Sequence, residues 1–266
     1  MHGDVTAYGL LASVALVGLA ILLSLWQRLG LAEGIAVSAL RAAAQLLVVG
    51  FALRLVLDPK QPIVLALAWV VAMIAVAAET VQRRAAEIPS ARLLAFGAFA
   101  ASEAVTLGSL FVLQVFPFSA RTLVPLSGMV LGNSMTATIV VGRRLIDETV
   151  TRRAEIEARL ALGQSGGDAA APLVRSALRT ALSPTIEGTK AVGIIALPGA
   201  MTGLILAGVD PVDAVLVQVV VMYFLLAATA VTTAVVALGT RRRLFTSDHR
   251  LVRRPAARGG HSGVGR

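Results

Sequence analysis

The chain has 266 residues, of which 57% are hydrophobic and 15% charged, with a mean hydropathy of +0.82. A soluble domain carries about a quarter charged residues, so a large soluble catalytic domain is excluded, and with Cys 0 there are no disulfides, thiolate metal centres or cysteine nucleophiles. The formal charge of +9 fits Lys and Arg gathered on the cytoplasmic face of a membrane protein rather than a nucleic-acid partner; only the tail past Arg241 is placed to meet a polyanion.

Apolar blocks follow one another along the chain. The first runs from Val5 to Trp26 and lacks the basic start and small-residue cleavage site of a signal peptide, so it is read as a retained helix. The second runs from Gly34 to Leu57, the third from Ile63 to Thr80, the fourth from Leu93 to Phe116 and the fifth from Leu123 to Val141. A polar stretch, 143–190, precedes a sixth block, Ala191 to Val209, and a seventh, Ala214 to Gly239. Each approaches the ~20 residues that cross a bilayer. The expected fold is an all-α integral membrane protein of about seven transmembrane helices, multi-pass in the inner (plasma) membrane.

With seven spans, Arg83, Arg84 and Arg92, the arginines from Arg143 to Arg179, and Arg241, Arg242, Arg243, Arg250, Arg253 and Arg254 share one side. His2, Asp4, Asp58, Lys60, Arg121, Asp210 and Asp213 fall on the other. An even count would scatter the basic clusters. The positive-inside rule then puts the N-terminus outside and the C-terminus in the cytoplasm. Residues 1–245 form the transmembrane domain, and 246–266, rich in Arg, Gly, Ser and Pro, form a basic disordered tail.

Within 143–190 the sequence predicts a helix-turn-helix. Arg143 to Gly163 reads as a helix continuing the fifth span, with Glu148, Arg152, Glu155 and Arg159 spaced for i,i+3 and i,i+4 pairs. Gly163 stops it, and Ser165, Gly166 and Gly167 turn the chain. A second helix, Asp168 to Leu182, has the basic pair Arg175 and Arg179 and is ended by Ser183 and Pro184. Such a hairpin suits either docking to a soluble partner or lying on the membrane surface.

Polar side chains inside spans are costly and need a reason. Arg41 and Gln45 sit one turn apart in the second span. Arg41 either snorkels to the interface or pairs with Glu79 or Glu103. Glu103, midway along the fourth span, is protonated, paired or lining a wet path. Asn133, Ser134, Met135, Thr136 and Thr138 form a polar patch after Gly128 and Gly132, whose spacing suits close helix packing. Asn133 there either donates between helices or faces a substrate. Met129, Met135, Met201 and Met222 are soft ligands or simple filler. Pro198, Gly199 and Gly203 break or kink the sixth span. His2, His249 and His261 are terminal, so no histidine site lies in the bundle and the metal ligands stay unknown. Gly188, Thr189 and Lys190 look like the end of a phosphate loop, but Ser183 stands where its first glycine belongs, so ATP binding by this chain is rejected.

Glu157, Ala158 and Gly163 make an E-A-x-x-x-x-G pattern that resembles the cytoplasmic coupling loop of bacterial ABC permeases, which enters a groove of the ATPase subunit; Pro184 comes about a helical turn later than in that loop. Four longer stretches resemble the iron-export permease subunits of bacterial ABC transporters, a family that takes in plant aluminium-tolerance permeases. They are L-R-A-A-A-Q-L-L-V-V-G from Leu40 to Gly50 and V-P-L-S-G-M-V-L-G-N-S-M from Val124 to Met135. The third joins L-A-L-G, ending at Gly163, to R-S-A-L-R-T-A-L-S-P-T from Arg175 to Thr185. The fourth is the long run T-K-A-V-G-I-I-A-L-P-G-A-M-T-G-L-I-L-A-G-V-D-P from Thr189 to Pro211.

The resemblance implies a permease subunit without enzymatic activity of its own, working in the lipid bilayer as a homodimer with a separate P-loop ATPase that binds ATP and Mg. It implies metal-ion export, with iron as substrate. Glu157, Gly163, Arg175, Arg179 and Pro184 would couple to the ATPase. Arg41, Gln45, Glu103, Asn133 and Met135 are the candidates for the translocation path. Two rival functions are a carrier driven by a proton or sodium gradient through Glu103, and a membrane scaffold or receptor.

Overall fold

A computed structural model describes residues 7–88, 90–193, 197–246, 248 and 250–252, and all that follows concerns those residues. The expectations for His2, Asp4, His249, His261, Arg253 and Arg254, and for the tail from 253 onward, lie outside them. The chain divides into two units, Met1–Pro62 and Ile63–Arg266.

The first unit is a helical hairpin of α1 (Ala7–Trp26) and α2 (Ala32–Val56). α1 has no charged residue, and its 20 residues rise about 30 Å, the thickness of the hydrocarbon layer. The link turns through left-handed positions at Arg28 (φ 52) and Gly30 (φ 68), and the Ser24 hydroxyl accepts the Leu31 N–H at 3.2 Å. Large apolar side chains such as Leu22, Leu46 and Phe51 are exposed, as expected of helices solvated by lipid.

The second unit contains α3 (Ile63–Arg84), α4 (Ala91–Val112), α5 (Ala120–Thr151), α6 (Arg153–Ala161), α7 (Gly166–Ala191), α8 (Gly199–Leu206) and α9 (Pro211–Leu244). α5 and α9, of 32 and 34 residues, reach about 50 Å and outrun a bilayer. Around them α3, α4 and α7 bury a core that includes Val81, Phe99, Val130, Leu145 and Leu173. The basic clusters meet at one end. The Arg143 guanidinium donates to the Arg84 carbonyl, Arg243 Nη1 donates to the Ser90 carbonyl at 3.2 Å, and Glu79 pairs with Arg83 at 2.9 Å and Arg92 at 3.9 Å.

Among the described residues six helices are long and apolar enough to cross a membrane: α1, α2, α3, α4, α5 and α9. The sixth block predicted from sequence is not one such helix. α7 ends at Ala191, Gly193 takes φ 87, and Pro198 opens the eight-residue α8. Gly193 turns the backbone out of the right-handed helix, and Pro198 stands at the N-cap of α8, where its missing N–H costs no helical bond. The segment still traverses the unit. Gly166 lies against Phe245 at the basic end of α9, and Asp210 caps the opposite end, its side chain accepting the Val212 N–H at 2.8 Å.

The predicted stop at Ser183 and Pro184 is overturned. α7 continues through both to Ala191. A proline removes one backbone donor, and the carbonyl left over, that of Thr180, sits at an exposed position where solvent can satisfy it. Gly166 and Gly167 are likewise the first turn of α7, not a loop. The first residues of the expected disordered tail fold back: Phe245 bridges Leu251, and Val252 N–H donates to the Leu244 carbonyl at 2.9 Å.

Candidate functional site

Two polar regions of the second unit stand out. The first lies where α5 leaves the apolar run and meets α6 and α7. α5 ends at Thr151, Arg152 joins it to α6, and α6 closes with Gly163 at φ 84. Gly163 N–H donates to the Leu160 carbonyl at 3.0 Å and Gln164 N–H to that of Arg159 at 3.1 Å, the two bonds of a glycine-closed helix end. Ser165 then caps α7, its hydroxyl accepting the Asp168 N–H at 3.2 Å while donating to Asp168 Oδ2 at 2.6 Å.

Leu173, Val174, Ala177 and Ala181 on α7 are buried, in a helix packed on α5 and α9. The apolar face that could have lain on a membrane surface is therefore used inside the chain. Arg175 and Arg179 point outward, and neither has an ionic partner among the described residues. Gly163 and Pro184 are also exposed, as is Glu157, which pairs with Arg153 at 2.7 Å. The five coupling candidates thus share α6, its end and the outer side of α7, without joining into one cluster.

What fastens this region is a residue the sequence reading counted only as one charge among several. Glu148 is buried, takes the Ser176 hydroxyl of α7 at 2.6 Å and Arg144 Nε at 2.8 Å, and has Arg152 at 3.9 Å. Nearby, Glu155 lies between Arg152 at 2.7 Å and Arg159 at 2.9 Å. The Arg152 hydrogen bond, aided by Arg159, holds its carboxyl below the usual carboxylate range.

The second region is the interior between α4, α5 and α9. Glu103 on α4 is buried, faces the Ser127 hydroxyl, and forms no well-shaped hydrogen bond at either carboxylate oxygen. On the stretch of α5 facing this interior the buried polar side chains include Ser127, Ser134 and Thr138, and on α9 they include Gln218, Thr229 and Thr240. Each has a side-chain oxygen without a partner among the described residues. The sequence reading missed most of these, although the spacing of Ser127, Ser134 and Thr138 marks one helix face.

The path candidates fall in both units. Arg41 and Gln45 are exposed on α2 of the first unit. Asn133 is exposed, off the buried face of α5, and its Nδ2 donates to the Met129 carbonyl of its own helix at 2.9 Å. Met135 is half-buried. Gly128 approaches Met73 of α3, whereas Gly132 meets nothing, so only one member of the glycine pair serves close packing. Gly188, Thr189 and Lys190 lie within helix α7, with Lys190 paired to Glu187 at 2.9 Å; a phosphate loop would need a strand before it. Among the described residues no group of three His, Cys, Asp or Glu could hold a metal.

Comparison with known proteins gives one consistent result. The sequence profile of the family described as Uncharacterised protein family (UPF0014) matches residues 7–245. The UPF0014 membrane protein STAR2 of Oryza sativa subsp. japonica is 40% identical over 84% of this chain and 78% of its own length. Protein ALUMINUM SENSITIVE 3 of Arabidopsis thaliana is 36% identical over 84% of this chain and 81% of its own. The probable iron export permease protein FetB of Escherichia coli is 33% identical over 94% of this chain and 96% of its own. No solved structure matches. The stretches that carried the family resemblance all lie inside the matched range.

Proposed function

The chain belongs to the membrane protein family UPF0014, and from that premise we propose that it is the membrane-spanning permease subunit of an ABC transporter that exports a metal ion, iron being the first candidate. The observation that carries this reading is the α6–α7 hairpin. It sits at the basic end of the second unit, is tied to α5 through Glu148 and Ser176, and turns Arg175 and Arg179 outward. An acidic surface on a soluble ATPase would meet that face, and a push on it would reach α5 directly. The relative named as a probable iron export permease supports the substrate.

In this reading the subunit works as a homodimer in the inner membrane, N-terminus outside and basic end in the cytoplasm. Residues 1–245 form the permease and 246–266 a tail. ATP and Mg bind the partner ATPase. Glu157, Gly163, Arg175, Arg179 and Pro184 transmit its closure, and Arg41, Gln45, Glu103, Asn133 and Met135 border the path. A carrier driven by an ion gradient is the second reading, favoured by Glu103, which is buried without an ion pair among the described residues.

Mild-detergent purification from native membranes tests the two. A P-loop ATPase recovered in equal amount, and released by Gly163→Asp with Arg179→Glu, is the expected outcome. A chain that purifies alone and moves ions in vesicles without ATP would hand the assignment to the gradient-driven reading.

A further inference from the structure

α7 carries charge to a depth where α5 and α9, the helices it packs on, carry none. Two contacts set its direction and level. Gly166, at its start, lies against Phe245 at the basic end of α9, and the Ser176 hydroxyl donates to Glu148 of α5 at 2.6 Å. α7 therefore runs opposite to both neighbours, and residues count forward on it as they count back on them. Fourteen residues past Ser176, about 21 Å, Lys190 comes level with Ser134 on α5. Counted from Gly166 and Phe245, it comes level with Val221 on α9. α5 carries no charged residue between Arg121 and Arg143, and α9 none between Asp213 and Arg241, so both counts put Lys190 inside the apolar layer.

At that depth Lys190 pairs with Glu187 at 2.9 Å, yet the two side chains are 67% and 63% exposed. Ser183, Thr180 and Ser176 precede the pair at steps of three and four residues, which is one face of a helix. A polar stripe thus runs from the Glu148 contact to the pair, and it is exposed from Thr180 onward. Charge inside the hydrocarbon layer faces the bundle or a water-filled cavity rather than lipid. Arg143, the first charged residue inward on α5, is nine residues from the Ser134 level, about 14 Å, too far for the lysine to snorkel. Just past the pair, Gly193 leaves the helix at φ 87 and is itself exposed. Irregular backbone at membrane depth is tolerated only within protein or beside water.

We propose that the α7 stripe from Thr180 to Lys190 lines a water-filled inlet, which opens at the basic end of the unit and reaches into the membrane as far as the Glu187–Lys190 pair. Asn133, an exposed polar side chain of α5, lies one residue from the level of Lys190. As the entrance of a transport path the inlet rests on the permease reading above; as a wet cleft it stands whichever energy source drives transport.

Lys60 and Lys190 are the chain's lysines, so the wild-type protein tests the inlet. Sealed inside-out membrane vesicles are treated with sulfo-N-hydroxysuccinimide acetate, which is charged and does not cross lipid, and each lysine peptide is read by mass spectrometry. Lys190 is acetylated in the sealed vesicles, and Lys60 only once they are permeabilised. Depth is read from single cysteines, since the chain has Cys 0. N-ethylmaleimide alkylates Ser183→Cys and Glu187→Cys about tenfold faster than Val219→Cys, because a thiol in apolar surroundings does not ionise. Val219 is exposed on α9, two residues from the level of Lys190. Lys190 that stays unmodified even in permeabilised vesicles overturns the inlet in favour of a dry protein contact. Lys190 modified only after permeabilisation overturns its opening at the basic end, and Val219→Cys that reacts as fast as Ser183→Cys overturns its depth. None of these readouts uses ATP, so a chain that purifies without an ATPase sinks the permease-subunit reading and leaves the inlet to be judged on its own.

Discussion

Glu148 and Glu103 are both buried carboxyls on helices of one unit, 7% and 4% exposed. Arg144, Arg152 and Ser176 surround the first, whereas the second has no ion pair and faces only the Ser127 hydroxyl. At the basic end, charge is close to solvent and is answered by neighbouring side chains; the carboxylate joins α5 to α7. Inside the α4, α5 and α9 bundle the same group meets a hydroxyl of α5 and no opposite charge. A buried carboxyl of that kind is weak evidence for stability in itself.

If this contrast holds, removing each carboxyl should move stability in opposite directions. Glu148→Ala strands Ser176 and Arg144, while Arg152 keeps Glu155, and is expected to cost about 2–3 kcal/mol in denaturant unfolding. The value sits below that for a fully buried pair because Arg144 and Arg152 are 50% and 38% exposed. No measurable loss would break the comparison at its paired end.

Between the two regions α5 passes Ile88 at Gly142, where an added Cβ would run into the isoleucine side chain. Gly142→Val should overpack that crossing by about 1–3 kcal/mol, whereas Gly132→Ala, with open space around it, should leave the melting temperature unchanged. Glu103→Leu is expected to gain about 1–2 kcal/mol while transport is lost. A variant that instead unfolds more readily would place Glu103 among the structural carboxyls.

The smallest effect sharpens the paired side. Glu155 has its folded carboxyl pKa held down by Arg152 and Arg159. Its contribution is therefore present above the unfolded carboxylate value and is lost as pH falls through the lower, folded value. Glu155→Gln should remove that acid-side slope from the melting temperature, by little, because the group is exposed to water.

Much of this architecture was legible in the residues. Apolar runs of membrane length marked α1 to α5 and α9, because a helix that crosses lipid must be apolar along its whole surface. Gly163 announced the end of α6, because its left-handed φ favours glycine. The path candidates were less legible. Asn133 and Ser134 are adjacent in sequence, yet α5 turns Asn133 outward and buries Ser134. Where nearly every residue in a span is apolar, composition carries little signal about which face meets a neighbour.

By itself, then, the sequence determined that the chain is a polytopic helical membrane protein of one family, with its basic charge gathered at one end; hydrophobic length and the cost of charge in lipid require that much. The tertiary structure decided what local signals could not. It carried α7 through Pro184 on the strength of its packing against α5 and α9, split the sixth apolar block at Gly193 and Pro198, and set Glu148 among arginines and Glu103 against a single hydroxyl. Rotation of each helix about its axis fixes those neighbours, and only contact with the other helices sets that rotation.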